Sequence, residues 1–209
     1  MKDKNSNKVI NVYNIFPVAI SRSIVSTPLR PEDFQGEQFS DNIGNRRGTN
    51  SAILELPHLA NLKRELEDSI NRHFKEVYQP EDPQMHLYIT QSWLNDTAGG
   101  EYHHQHRHSN SMLSGVLYLS VDPQDSIKFL KEREDLPLVF EANTFNDFNS
   151  TSMAISGFET GELLLFPSTL KHEVPVRHSK VTNPRISLAF NTFVHGSLGS
   201  EAGLTSLNI

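Results

Sequence analysis

The chain has no cysteine in 209 residues. Disulfides, thiolate metal sites and cysteine nucleophiles are therefore excluded, and a reducing compartment suits such a chain. It has no apolar run approaching the roughly 20 residues that span a bilayer. Met1 to Lys8 is polar and lacks the apolar centre of a signal peptide, so a cytoplasmic location without membrane attachment is the expectation. Positive charge is scarce. The chain has 19 Lys and Arg against 25 Asp and Glu, a net charge of -6, and so lacks the electrostatic footprint of a nucleic-acid binder. There is no internal repeat, low-complexity tract or interdomain linker. The length suits one domain, residues 1–209, around a single core, with a β-rich centre expected over about 85–195.

The apolar residues that are present are patterned. Leu59, Leu62, Leu66, Ile70, Phe74 and Val77 recur at helical spacing and follow Pro57, which a first helical turn tolerates. They predict a helix from Pro57 to Val77 that covers one face of a sheet. Residues 1–8 read as frayed. Val9 to Ile24 reads as one or two strands broken near Pro17, and Thr27 to Asn50 as a long loop with short ordered pieces. Strand-like segments follow at Met85–Asn95, Tyr102–His108, Met112–Val121, Ile127–Leu130, Glu162–Phe166, His172–Val176 and Arg185–Val194. Residues 122–156 are otherwise polar and irregular. Short strands with turns between them, preceded by a helix, predict a mainly β fold with flanking helices: a double-stranded β-helix, or cupin-like jelly roll.

Histidine is concentrated. Four of the ten fall between His103 and His108. On a strand, side chains two apart share a face, which puts His104, His106 and His108 together and His103 opposite. Neighbours on one face lie roughly 6.6 Å apart, close enough for two imidazoles to converge on one ion. His106 belongs to either pair, and its partner is His104 or His108. Two ligands on one strand leave an ion mostly open, and His172, after the apolar strand Leu163–Phe166, is the candidate for a third. Two alternate ligands plus one distant histidine make a facial arrangement suited to non-haem Fe(II). His103, His178 and His195 read as surface residues.

In Arg185-Ile-Ser-Leu-Ala-Phe-Asn191, alternation sets Arg185, Ser187, Ala189 and Asn191 on one face and Ile186, Leu188 and Phe190 on the other. An arginine aimed into a sheet interior needs an anion, because a buried unpaired charge is costly. A guanidinium fork beside a hydroxyl matches a carboxylate, so Arg185 with Ser187 is a candidate dicarboxylate anchor. An internal salt bridge is the alternative.

Three blocks taken together, "SWLNDTAGGEYHHQHRHSNSMLSGVLYL", "GELLLFPSTLKHEVPV" and "RISLAFN", resemble the 2-oxoglutarate and Fe(II)-dependent oxygenase superfamily. More narrowly, they are similar to small oxygenases of phages and bacteria related to prolyl hydroxylases. The resemblance covers about Tyr88 to Asn191. It implies Fe(II) as cofactor, held by His106, His108 and His172, with His106-Arg107-His108-Ser109-Asn110-Ser111 selecting His108 over His104. It implies 2-oxoglutarate and O2 as co-substrates, the former anchored by Arg185 and Ser187, and hydroxylase-type oxidation of an unidentified substrate with release of succinate and CO2. Two departures stand out. His108 occupies the usual carboxylate position, and Leu117 stands where related hydroxylases often carry a co-substrate-binding tyrosine. By alternation Tyr118 faces the other way, which leaves Asn95 or Ser114 to substitute. Asn191 and Gln105 are candidates to orient the imidazoles, and Trp93, Tyr102, Phe145 and Phe148 to line a substrate mouth, with Asn143–Thr151 as a lid. Two other readings accompany this one: a three-histidine cupin-type dioxygenase without 2-oxoglutarate, and a non-catalytic jelly-roll binding module with a bound divalent metal. Exposed strand edges would allow a homodimer.

Overall fold

The computed structural model describes residues 10–131 and 142–209. The frayed terminus expected at residues 1–8, and part of the irregular stretch 122–156, lie outside the described residues. In chain order the elements are β1 (Ser21–Ile24), β2 (Phe39–Asp41), β3 (Arg46–Gly48), α1 (Ala60–Tyr78), β4 (His86–Thr97), β5 (His103–His106), β6 (Leu113–Ser120) and β7 (Ser126–Leu130). They continue with β8 (Ser152–Ser156), β9 (Glu162–Pro167), β10 (Lys171–Val174), β11 (Arg185–His195), β12 (Ser197–Leu198) and β13 (Leu207–Asn208). A seven-stranded sheet in the order β1-β9-β6-β11-β4-β3-β2 faces a four-stranded sheet in the order β5-β10-β7-β8. All pairings within both sheets are antiparallel. The fold is a jelly roll backed by a helix.

Strand alternation divides the apolar residues between two cores. On β6, Leu113 and Leu117 point to the outer face of the large sheet. There they meet Leu62, Leu66, Ile70 and Phe74 of α1, with Leu163 and Leu165 of β9 and Leu188 and Phe190 of β11. Val116 and Tyr118 of the same strand point inward, between the sheets, and pack with Leu164, Phe166, Ile127, Phe129 and Phe158. A one-residue slip of β6 would exchange the two sets, so the register is strongly specified. The central strand β11 pairs with β4 over its whole length and with β6 on its other side. It is the scaffold from which the site is built.

The helix begins after a 3-10 turn at Pro57–Leu59 and ends where Gln79 takes a left-handed conformation (φ 46°) and donates its N–H to the Lys75 carbonyl. Pro80 then prevents continuation. Asn71 ties α1 to β4: its Nδ2 donates to the Leu87 carbonyl and its Oδ1 accepts from the Leu87 N–H, both at 2.8 Å. Val77, expected in the buried stripe, is 40% exposed.

Gly115 on β6 is required by contact. A Cβ there would sit 2.0 Å from Cζ of the fully buried Phe190 ring. The expected result for Gly115→Ala is a loss of about 1–3 kcal/mol from overpacking, read as a lower urea midpoint with an unchanged m-value.

Two expectations are corrected. Of the strand expected over Val9–Ile24, only Ser21–Ile24 is paired among the described residues. Ile10, Val12, Tyr13, Ile15 and Phe16 are exposed, and β-propensity without a partner strand does not make a strand. Within 122–156, Ser152–Ser156 forms an edge strand on β7. The ordered pieces expected within Thr27–Asn50 include the hairpin β2–β3, which extends the large sheet beside β4.

Candidate functional site

His106 closes β5, and His172 lies directly opposite it on β10 in the ladder register. His108 stands two residues beyond the end of β5, in the turn toward β6. The ring centroids are 5.0 Å apart for His106–His108, 4.4 Å for His106–His172 and 5.3 Å for His108–His172. One ligand nitrogen from each of the three lies within 4.8 Å of the others. Structure and sequence agree that these residues come together.

The backbone fixes their tautomers. His106 Nδ1 is 2.7 Å from the His104 carbonyl, and His172 Nδ1 is 2.9 Å from the Leu170 carbonyl. A carbonyl only accepts, so both Nδ1 atoms carry the proton. Each ring is left with one free lone pair, on Nε2. Metal-ligating histidines commonly donate their other N–H to a carbonyl in this way. Phe166 packs edge-on against His172 at 4.7 Å and walls the ring on its apolar side.

The two ligand-bearing turns are joined by a buried hydroxyl chain. Ser168, fully buried after β9, accepts the His108 N–H on its carbonyl at 2.9 Å. Its Oγ meets Ser111 Oγ at 2.7 Å and Ser114 Oγ at 2.8 Å, and Ser114 Oγ donates to Asn191 Oδ1 at 2.9 Å. Ser168→Ala would leave two buried hydroxyls short of a partner and loosen the loop that carries His108. The expected outcome is a divalent-metal affinity weaker by about 10-fold, the lower end for a group that orients ligands, measured by competition with a chelating dye. An unchanged affinity would show that the chain of serines serves stability alone.

Burial sets the protonation of the ligand rings. It pushes His172 down to about 3 and His108 to about 4, with the nearby His106 charge acting in the same direction, and it lowers His106 as well. An unfolded histidine protonates near pH 6.5, whereas in the fold His108 stays neutral until about pH 4 and His172 until about pH 3. Their contribution to stability is therefore complete above pH 6.5 and is lost as pH falls from 6.5 toward 4, because the unfolded chain then binds protons that the fold does not. The metal-free protein should have a lower urea midpoint at pH 5 than at pH 7.5, and His108→Asn should reduce the difference. Equal midpoints in the parent protein would contradict the neutral assignment.

Arg185 opens β11 opposite Thr97 of β4 and is only 2% exposed. Among the described residues no carboxylate pairs with it, and its Nε is buried without a hydrogen-bond partner. Arg177, also buried, shows the contrast. It donates to Asp125 at 2.6 and 3.0 Å and to the Thr97 and Asn183 carbonyls, pinning the end of the barrel on which Arg185 sits. Arg185 instead lies over the Tyr118 ring, 5.1 Å from its centroid. The Tyr118 hydroxyl is likewise buried without a partner, and burial raises its pKa against the pull of the Arg185 charge, so it is a neutral donor. Two unsatisfied donors at one buried point, one of them cationic, fit a carboxylate.

The cavity between the imidazoles and the guanidinium is lined by Trp93, Asn95, His103, Ser114 and Ser187 with the groups already named. Asn95 presents a buried Oδ1 with no partner, and Ser187 stands two residues from Arg185 on the same face. Ser114 reaches the cavity, but its hydroxyl is engaged with Ser168 and Asn191, so it is held as part of the scaffold. Trp93 stacks toward His108 at 5.8 Å. Phe145 and Phe148 are exposed, Tyr102 packs against Gly44, and Gln105 is exposed.

Two sequence expectations fail here for identifiable reasons. His103 is a cavity residue, not a surface one. It stacks on His106 with centroids 4.5 Å apart. Between His172 and Val174 the partner residues on β5 are His106 and His103, a span of four residues on β5 against three on β10. This is a bulge, which turns an odd-numbered neighbour to the same face. Tyr118 faces inward, and Leu117 the helix-side core. The tyrosine position beside the anchor arginine is therefore filled, one residue later than expected.

The family described as "Putative 2OG-Fe(II) oxygenase" matches residues 91–191. Among curated proteins none matches the chain. The fold is similar to an oxidoreductase of the 2OG-Fe(II) oxygenase family from Burkholderia pseudomallei, at 13% identity and TM-score 0.53 over 77% of this chain and 74% of that one. A Pseudomonas putida prolyl-4-hydroxylase aligns at 14% identity and TM-score 0.52 over 83% and 92%. HygX from Streptomyces hygroscopicus, solved with nickel and 2-oxoglutarate bound, aligns at 14% identity and TM-score 0.52 over 77% and 75%. No helix among the described residues is long and apolar enough to cross a membrane. The fold, the imidazole cluster and the matched segment agree: residues 91–191 resemble the 2-oxoglutarate- and Fe(II)-dependent oxygenases.

Proposed function

We propose that the chain is a hydroxylase-type oxygenase in which His106, His108 and His172 would hold Fe(II), His106 and His172 through the Nε2 that their Nδ1 hydrogen bonds leave free. Arg185 and Tyr118, with Ser187 and Asn95 beside them, hold the distal carboxylate of 2-oxoglutarate. Ser114 acts through Ser168 on the loop that carries His108. When bound, iron and 2-oxoglutarate supply the oxidising power: O2 is reduced as the keto acid is decarboxylated to succinate and CO2, and one oxygen atom is delivered to a substrate C–H bond. The chain's own residues bind, orient and exclude water. The carbonyls of His104 and Leu170 fix the imidazole tautomers. Phe166, Val116 and Ile127 give the cavity apolar walls, and low-dielectric walls strengthen the charge interactions beside them. A cysteine-free chain suits the reducing cytoplasm in which we place it.

The observation that carries this reading is the buried Arg185 guanidinium, whose Nε lacks a hydrogen-bond partner and which pairs with no carboxylate among the described residues. A three-histidine dioxygenase acting without 2-oxoglutarate has no use for that charge. The decisive experiment is to load the protein with Fe(II) anaerobically, add 2-oxoglutarate and then oxygen, and assay succinate. Succinate formation above the metal-free control is expected. Oxygen consumption without succinate would favour the three-histidine alternative.

His103 lines the cavity beside these imidazoles; it is half-buried, and its ring meets Asn42 Nδ2 only at 3.4 Å.

A further inference from the structure

The imidazoles form two triads. His106, His108 and His172 make one, and His103, His104 and His106 make another, with one ligand nitrogen from each member within 4.8 Å of the other two in both cases. The bulge on β5 creates the second by turning His103 toward His106. His104 lies 5.2 Å from His103 and 5.0 Å from His106 between centroids. Its Nδ1 is buried with no hydrogen-bond partner. The proposed reaction uses neither His103 nor His104 as a ligand. His103, His104 and His106 are all half-buried, whereas the first triad contains the buried His172.

We propose that His103, His104 and His106 form a second site for a divalent transition metal, and that the chain fills one site or the other, never both. The exclusion follows from His106. Its Nδ1 proton is committed to the His104 carbonyl, so only Nε2 has a lone pair, and one lone pair serves one ion. Three neutral imidazoles without a carboxylate or thiolate select Co(II), Ni(II), Cu(II) or Zn(II) over Mg(II) or Ca(II). The orphaned His104 Nδ1 gains a partner when an ion sits there, and the long His103–Asn42 contact is given up. An ion in this outer site takes His106 from the inner triad and leaves it with two ligands. Metals that bind imidazole more tightly than Fe(II), as Zn(II) does, would therefore inhibit by occupying the outer site as well as by replacing iron. This consequence rests on the inner-site assignment above.

Co(II) tests the proposal, because its visible absorption reports coordination directly. Wild type should bind one Co(II) per chain by equilibrium dialysis. His108→Gln combined with His172→Gln should still bind one, with an altered visible spectrum, and adding His104→Ala to that pair should reduce binding to none. His103→Ala with His104→Ala should keep one ion in the inner site. Circular dichroism melts establish that each variant is folded. If the His108/His172 double variant unfolds, the wild-type stoichiometry and the spectrum of His103→Ala/His104→Ala still decide: loss of a second Co(II) species is expected, and an identical spectrum overturns the proposal. Two ions bound at once to wild type, or a folded His108/His172 variant that binds none, also overturns it. Failure of His103→Ala/His104→Ala to bind any ion would instead count against the inner site.

Discussion

Replacing His106 by alanine is expected to abolish divalent-metal binding altogether, a larger loss than any other single histidine should give. His106 is the centre of the imidazole cluster. It faces His172 across the β5–β10 ladder, lies next to His108 along the chain, and belongs to both possible triads. His172→Ala removes a ligand from one triad only, so a weaker ion at the outer site should survive. Removing a residue that merely orients a ligand costs about 10- to 100-fold in affinity. Removing a ligand that no other side chain can replace should exceed this. The measurement is metal content after dialysis against micromolar Fe(II) or Co(II), with a thermal melt as control for folding. Stoichiometric metal in His106→Ala would disprove the assignment of both sites.

The second large effect concerns Arg185 and has two parts of opposite sign. Arg185→Met keeps the volume of the side chain and removes its charge. Hydrogen bonds to a charged group contribute about 1.5–3 kcal/mol each. Loss of a two-point contact with a carboxylate should therefore weaken 2-oxoglutarate binding by about 100-fold or more. The ligand-free protein should at the same time become more stable, because the guanidinium is 2% exposed and carries a desolvation cost that no carboxylate among the described residues offsets. Calorimetry with 2-oxoglutarate and a thermal melt without it read the two parts separately. A structural arginine would behave in the reverse way, with stability falling and co-substrate affinity preserved. Arg177 should show that reverse behaviour, since it is buried against Asp125 and two carbonyls.

What the sequence reveals and what it hides divide along physical lines. The helix is legible because its buried residues Leu62, Leu66, Ile70 and Phe74 lie on one stripe. The long strands β6 and β11 are legible because they are apolar and buried along most of their length, and β4 because its buried Leu87 and Ile89 alternate with exposed His86, Tyr88 and Thr90. The hairpin β2–β3 is not legible: its strands are three residues long and largely exposed, and they exist because β4 offers an edge. For the site, His106, His172 and Arg185 are legible from residue type and spacing, whereas spacing leaves His104 and His108 open and the family resemblance selects His108. His103 could not, because its direction depends on a bulge set by the register of β5 against β10. Tyr118 was misplaced by one residue for a similar reason. The β6–β11 register shifts between Ile186 and Ser187, and an alternation count carried from the family pattern does not anticipate that shift. Ser168 carries no sequence signal as a positioning group. Its importance lies in meeting Ser111 and Ser114 from a different turn.

The claim on which the rest depends is spatial, and diffraction can test it in one measurement. Crystals grown anaerobically with Fe(II) and 2-oxoglutarate should give a single anomalous peak at the iron edge, within bonding distance of Nε2 of His106, His108 and His172. The distal carboxylate of the co-substrate should lie against Arg185 and the Tyr118 hydroxyl. A peak bound elsewhere, or a co-substrate whose far carboxylate makes no contact with Arg185, would contradict the account.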